Sequence, residues 1–413
     1  MPFLCLASFL VVGLAGTYAA EPTSVPDPST MLPLVPAAAQ AGAPPCIKPG
    51  TRLTYFGMTA SIPGEYKQLV QDDKGRWVDK RTGQHYSEHD IPGASGAGYN
   101  VVSVGAIGGG LVQLSTKLYT LDTTTRKCLF SVGGGMVGHA GCAADYWIHP
   151  EVLKQVQETN AGGVRILRMP YPVQGKVYQA IRFQSEDARS YNAWVYDLET
   201  GLLIYHGSRA QGKPILTPPI GDTGRPGIGQ GSTQLVTGWL AEVRDIDVPW
   251  KDAAPPEWIK TFGRLSYSGL QRTMAAGTNL DRPMTITITP KARGDAWVRF
   301  GSYGVIQSYP GMPPEEARTE GACGGATICG LWVPPAGLTS LRRGQVIESH
   351  ALVGTTVSVS NVGPGFVTFT ETGPLHRIDF TYDTRSGMMS ALTLAQQIGL
   401  ARITHMMQLS GQQ

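Results

Sequence analysis

His85 and His89 stand four residues apart in QHYSEHD, with Glu88 and Asp90 beside them. On one helical face that spacing would bring two imidazoles together as nitrogen ligands for zinc or a similar cation. The same stretch is polar and glycine-rich, with Pro92 close behind, so an exposed loop accounts for these letters equally well. His139 and His149 bracket Cys142 and could combine nitrogen with sulfur. Met388-Met389 and His405-Met406-Met407 offer the soft thioethers that suit copper(I), although strand packing by methionine explains them too. His85 and His89 are therefore the metal candidates, and no cofactor is expected.

Catalytic signatures are missing. VVSVGAIGGGLVQL places glycines after a strand but runs on into another strand-like segment, whereas a dinucleotide loop must open a helix. FSVGGGMVGHAG lacks the Lys-Ser/Thr that closes a phosphate-binding loop. Neither a Gly-x-Ser-x-Gly elbow, an HExxH motif nor a CxxC pair occurs. The carboxylate pairs Glu186-Asp187 and Glu315-Glu316 lie in turn-like stretches. No catalytic residue is nominated, and a non-enzymatic role is expected.

Export sets the redox setting. MPFLCLASFLVVGLAGTYAA is a short apolar run ending in small residues, the form of a signal peptide over residues 1–20. Residues 21–45 are rich in Pro and Ala and read as a disordered tether. No later stretch is apolar for long enough to span a membrane, so the mature chain is expected to be exported, periplasmic or secreted, with no transmembrane segment. Cys128 and Cys142 enclose one glycine-rich loop and Cys323 and Cys329 another. Both pairs are disulfide candidates in an oxidising compartment, which leaves Cys46 odd.

Composition narrows the partners. A net charge of +3 over 413 residues gives no polyelectrolyte signature, and nucleic acid is not expected as a partner. Charged residues make up only 16%, while 52 Gly and 30 Pro imply short strands joined by many turns.

The elements repeat. YDLETG (196–201) returns as YDTRSG (382–387), and in both copies a phenylalanine stands thirteen residues before the tyrosine, Phe183 and Phe369. Trp147-x-x-Pro150-x-x-Leu is matched by Trp332-x-x-Pro335-x-x-Leu, and RLTYFG from Arg52 by RLSYSG from Arg264. Four landmarks in one order indicate two homologous units, 46–250 and 258–413, joined by a linker over 251–257. Around each hexapeptide, apolar and polar residues alternate, as in a β-hairpin. Asp197 and Asp383 can accept turn amides, and Gly201 and Gly387 can take the left-handed conformation that closes the turn after Tyr196 and Tyr382. The Trp-Pro motif reads as the start of a short helix, with Pro150 or Pro335 in its first turn. The fold class expected is α+β, mainly β: two homologous curved antiparallel-sheet domains, each with a short helix packed on it.

A curved antiparallel sheet with a small helical plug and Tyr-Asp-x-x-Thr/Ser-Gly hairpins resembles the half-barrel of periplasmic lipoprotein-carrier-like domains. The resemblance implies a concave apolar face able to hold an acyl chain or a partner's tail. The expected function is thus an exported binding protein for an apolar small molecule or an envelope protein. A structural or adhesive envelope protein, or a hydrolase with an inter-domain site, is the alternative.

Overall fold

A computed structural model describes residues 29–62, 69–71, 77–79, 85–86, 96–122, 125–187, 190–211, 215–217, 227–229, 233–275, 277–308 and 313–413. Strand makes up 63% and helix 6%, so the protein is mainly β, with two similar domains. The period-two reading holds residue by residue: in HRIDFTYD, His376, Ile378, Phe380 and Tyr382 are buried while the residues between them are not.

The first large sheet contains β1 (Thr51–Ile62), β2 (Gly96–Gly108), β3 (Leu111–Leu121), β4 (Cys128–His139), β5 (Thr159–Ala161), β6 (Val164–Val173), β7 (Lys176–Glu186), β8 (Ser190–Asp197), β9 (Leu203–Gln211) and β10 (Thr233–Asp245). The second contains β11 (Leu265–Ala275), β12 (Thr278–Arg293), β13 (Trp297–Ile306), β14 (Glu315–Gly324), β15 (Val346–His350), β16 (Thr355–Gly363), β17 (Phe366–Thr372), β18 (His376–Asp383), β19 (Met389–Ile398) and β20 (Ala401–Gln412). Their strand orders are β4-β3-β2-β1-β10-β9-β8-β7-β6-β5 and β14-β13-β12-β11-β20-β19-β18-β17-β16-β15. Adding ten to each label of the first order gives the second. Helices α1 (Pro150–Gln155) and α3 (Pro335–Leu338) fall at the same point of each copy, and α2 (Trp258–Thr261) lies between the copies. A three-stranded and a two-stranded small sheet interrupt the first copy alone.

The hairpin landmarks have matching geometry. Gly201 N donates to Asp197 O and Gly387 N to Asp383 O, each at 2.8 Å, with φ of 79° and 68° at the two glycines. The carboxylate of Asp197 accepts from Thr200 Oγ1 at 2.6 Å, and that of Asp383 from Ser386 Oγ at 2.8 Å. A bulge sits just before each tyrosine, between Val195 and Tyr196 and between Thr381 and Tyr382. Phe183 packs edge-on to Tyr196 and Phe369 to Tyr382, at 5.9 and 5.6 Å. Trp147, Trp332, Tyr196 and Tyr382 are all fully buried.

Close packing divides the described residues into a larger unit, lying within 1–55, 98–152 and 241–413, and a smaller one, within 56–97 and 153–240. The larger unit is centred on the second copy, whose Phe369, Phe380, Tyr382 and Leu392 share one apolar cluster with Tyr119 and Phe130 of the first.

Two expectations are corrected. From Ser29 onward the Pro/Ala-rich segment is packed rather than disordered. Met31, Val35, Ala38 and Ile47 are buried, residues 36–40 form a 3-10 helix, and the Asp145 carboxylate accepts from Ser29 Oγ and from the amides of Thr30 and Met31. A few apolar anchors and one carboxylate suffice to hold a chain whose prolines already restrict it. The signal peptide and residues 21–28 lie outside the described residues. Second, among the described residues no disulfide joins Cys128 to Cys142 or Cys323 to Cys329. Cys128 opens β4 and Cys142 follows its end, so roughly 35 Å of extended strand separates them, far beyond disulfide reach. Cys329 is held at a left-handed φ of 63°, and the Cys323 sulfur accepts from Leu331 N at 3.5 Å instead.

Gly387 tests the hairpin directly. A Cβ there would lie 2.1 Å from Val333 O, on a backbone that L-residues avoid. Gly387→Ala is expected to cost at least about 2 kcal/mol, read as a lower melting temperature in thermal unfolding followed by circular dichroism.

Candidate ligand-binding face

Antiparallel register decides which side chains share a sheet face, because directly opposed residues point the same way. In the smaller unit, Trp239 opposes Tyr205, Tyr205 opposes Val195, and Val195 opposes Arg182. One strand-to-strand row on this face therefore reads Trp239, Tyr205, Val195, Arg182. A parallel row places Gly207, Ala193 and Gln184 together, and a third brings Arg209, Tyr191 and Glu186 into line.

The face is concave. Tyr171 on β6 and Tyr205 on β9 lie three strands apart in the sheet order, about 14 Å if the sheet were flat. Their ring centroids are nevertheless 5.6 Å apart. Small residues make the floor: Ala180 and Ala193 are 1% exposed. At Gly207 a Cβ would meet the Tyr205 hydroxyl at 2.5 Å, so glycine is what lets that ring lie down along its own strand. Phe56 and Trp239 extend the aromatic surface, with centroids 5.0 Å apart. Tyr171, Tyr191, Tyr205, Trp239 and Arg182 are all half-buried.

Arg182 is the electrostatic centre. It donates through Nη2 to the Tyr191 hydroxyl, its buried Nε has no hydrogen-bond partner, and among the described residues no carboxylate pairs with it. Burial raises the Tyr205 phenol, as does Tyr191, while Arg182 acts in the opposite direction. Tyr171 is also raised, first by burial and then by Tyr205, with Arg182 again opposing. The guanidinium is thus within electrostatic reach of three phenols. Glu186 lies two rows further along and is occupied by Arg209 at 3.6 Å.

The second copy serves as an internal control. Through the shared hairpin registers and the RLxYxG motif, Phe56 corresponds to Ser268, Arg182 to Thr368, Tyr191 to Arg377, Tyr205 to Ala391 and Trp239 to Gln408. Core positions keep their size instead: Tyr55 and Tyr267, Ile181 and Val367, Phe183 and Phe369, Tyr196 and Tyr382. The fold therefore stands without aromatic rings on this face, so packing alone does not account for them.

The larger unit holds the other concentrations of chemistry. Glu371 is 1% exposed and is met by Lys117, by the Tyr119 hydroxyl at 2.8 Å and by His376 Nε2 at 3.2 Å. Burial alone would raise its carboxyl, but Lys117 and His376 outweigh that and hold it well below the usual carboxylate range. Nearby, Glu348 pairs with Arg52 and, at 2.8 Å, with Arg244. Every one of these charges is already answered by a neighbour, which is how a structural network looks. Burial pushes the Cys323 and Cys329 thiols up to about 12, removing the thiolate a nucleophile needs. Lys117, Phe130, Phe300, Cys323, Cys329 and Leu392 border a cavity of about 100 Å³.

The sequence-nominated metal ligands fall largely outside the described residues. His85 lies in a two-residue strand, 85–86, paired with 77–79; its side chain and the whole of His89 fall outside the described residues. Among the described residues no three His, Cys, Asp or Glu side chains converge on a metal position. Burial lowers His405 to about 4, and its Nε2 engages Gln271 at 2.9 Å. Arg182 and its tyrosines escaped the sequence reading, although comparing the two copies at non-core positions would have exposed them.

No protein-family model matches the chain, and no curated protein is similar to it. Among solved structures, a variant of transferrin-binding protein B from Haemophilus parasuis aligns at 8% identity and TM-score 0.16, over 90% of this chain and 77% of that one. The outer membrane protein OpdK from Pseudomonas aeruginosa aligns at 9% identity and TM-score 0.11, over 87% of this chain and 98% of that one. At such scores neither likeness carries an argument. Among the described residues no helix is long and apolar enough to cross a membrane, which says nothing of a β-barrel.

Glu371→Gln removes the buried counter-charge of the partly buried Lys117 and is expected to cost roughly 3 kcal/mol. Because the folded carboxyl is held below its unfolded value, its contribution is complete above about pH 4.3 and is lost as pH falls toward the folded value. Melting temperatures scanned against pH should drop in acid for the wild type and less steeply for the variant. At pH 8, alkylation of Cys323 and Cys329 followed by mass spectrometry should run at least about a hundredfold slower in the native protein than in urea.

Proposed function

We propose that the protein is an exported, non-enzymatic binding protein that engages an envelope partner through the concave tyrosine–arginine face of its smaller unit. The observation that carries this reading is the divergence between the copies. Both copies keep the core residues, while the concave face of one carries Tyr, Trp and Arg, the residue types enriched at the centres of binding interfaces. In this reading the duplicated units are 46–250 and 258–413, residues 1–20 are removed on export, and the mature chain works in the periplasm or beyond the cell.

The half-barrel resemblance also implies an acyl chain as ligand. Against that stands the bordered cavity of about 100 Å³ in the larger unit, small beside the ~300 Å³ at which ligand pockets begin. The occupied thiol and carboxylate groups add no support for a hydrolase.

A photoreactive benzophenone amino acid placed at position 205, and separately at the equivalent position 391, tests the face in the native host. A discrete adduct is expected from position 205, lost on Trp239→Ala, and none from position 391. Equal adducts from both positions, or none from either, would sink the proposal. Native mass spectrometry of gently purified protein should give the bare polypeptide mass, and a co-purifying acyl lipid would favour carriage instead.

A further inference from the structure

We propose that Arg182, set among the hydroxyls of Tyr171, Tyr191 and Tyr205, receives an oxyanion, a carboxylate or a phosphate borne on a ring that lies against the tyrosines. The proposal rests on the face described above being the binding face, and it names the chemical class that face takes.

The argument begins with an unmet requirement. A guanidinium offers five N–H donors in a flat fork, and its charge is expensive to withdraw from water without a counter-charge. Among the described residues Arg182 meets only a neutral phenol, Tyr191, and its buried Nε donates to nothing. Several other arginines are answered by carboxylates: Arg52 and Arg244 by Glu348, Arg282 by Glu315, Arg209 by Glu186. Arg244 Nε shares the lack of a hydrogen-bond partner, but its charge faces Glu348 and Glu242. An oxyanion fits the vacant Nε edge because two oxygens can match two parallel N–H groups of the fork. Phenol hydroxyls can donate to its remaining lone pairs.

Two further features give the ligand a shape and a sign. Tyr205 lies down over Gly207 and meets the Tyr171 ring at 5.6 Å, so the surroundings of the anion are flat aromatic rings that favour a planar or ring-shaped body. Arg165 and Arg209 belong to the neighbouring rows, and Lys176 lies over the Tyr178 ring at 4.3 Å. Among the carboxylates of these rows, Glu186 is paired with Arg209 and Asp197, opposite Ala180, is taken up by its own turn. The face is complementary to negative charge. In the second copy the position of Arg182 is Thr368, whose hydroxyl pairs with that of Thr381 at 3.0 Å. That copy satisfies itself and needs no ligand.

Binding to the full-length protein, read by tyrosine fluorescence and calorimetry, tests the assignment with four small probes. Benzoate and phenyl phosphate carry the anion; benzamide and benzyl alcohol are their neutral counterparts. Wild type is expected to prefer each anion at least about tenfold over its neutral counterpart. Arg182→Gln should abolish that preference, and Arg182→Lys, which keeps the charge but not the fork, should retain part of it. Tyr205→Phe should weaken both anions without changing the melting temperature. A tenfold lead of benzoate over phenyl phosphate assigns the source to carboxylates, and the reverse lead to phosphates. Equal binding of anion and neutral probe, or an anion preference that survives Arg182→Gln, overturns the proposal. So does silence of both anions up to about 10 mM. If the benzophenone adduct at position 205 persists through such a failure, the binding face stands and only the oxyanion assignment falls; loss of both removes the two together.

Discussion

Hairpin register is the constraint on which the rest depends. In both copies an aspartate carboxylate gathers the amides and hydroxyl of its own turn, a glycine closes that turn with positive φ, and a bulge precedes the buried tyrosine. Side chains alternate across a strand, so a one-residue slip would exchange the two faces throughout. Tyr196 and Tyr382 would leave the core, and Arg182, Tyr205 and Trp239 would turn into it. The capped turn excludes that alternative locally, before any long-range packing forms.

Two treatments of charge coexist on this scaffold. Around Glu371 and Glu348 the protein buries acids and bases together, each satisfied by several partners. Such networks specify one arrangement of strands and set each charge against an opposite one. Arg182 is the opposite case: a half-buried cation that, among the described residues, meets phenols but no acid. The energetic difference is one of destination, because an unanswered charge lowers its free energy when an anion arrives, whereas an answered one does not.

The likeness of the two domains makes this contrast interpretable. Two sheets with the same strand order supply matched positions under the same backbone demands. Where both copies hold large apolar residues, as at Phe183 and Phe369, the fold requires them. Where one holds Phe56, Tyr205 and Trp239 and the other Ser268, Ala391 and Gln408, the fold is indifferent and another pressure accounts for the rings. The extension of the first copy's β6–β7 hairpin, which carries Tyr171 and Tyr178, belongs to the same divergence.

The letters alone determined the repeat, the mainly β class, the turns at Asp197 and Asp383, and the helix starts at Pro150 and Pro335. All of these follow from local periodicity and turn chemistry, which act within a few residues. They did not show that Ser29–Gly50 packs, since a handful of apolar anchors is invisible inside a Pro/Ala-rich composition. Nor could loop length alone reveal that β4 holds Cys128 and Cys142 a whole strand apart. Above all, only tertiary structure brought Tyr171, Arg182, Tyr191 and Tyr205 together. They come from four different strands, and it is the curl of the sheet, closed over Ala180, Ala193 and Gly207, that makes neighbours of residues whose sequence spacing carries no sign of it.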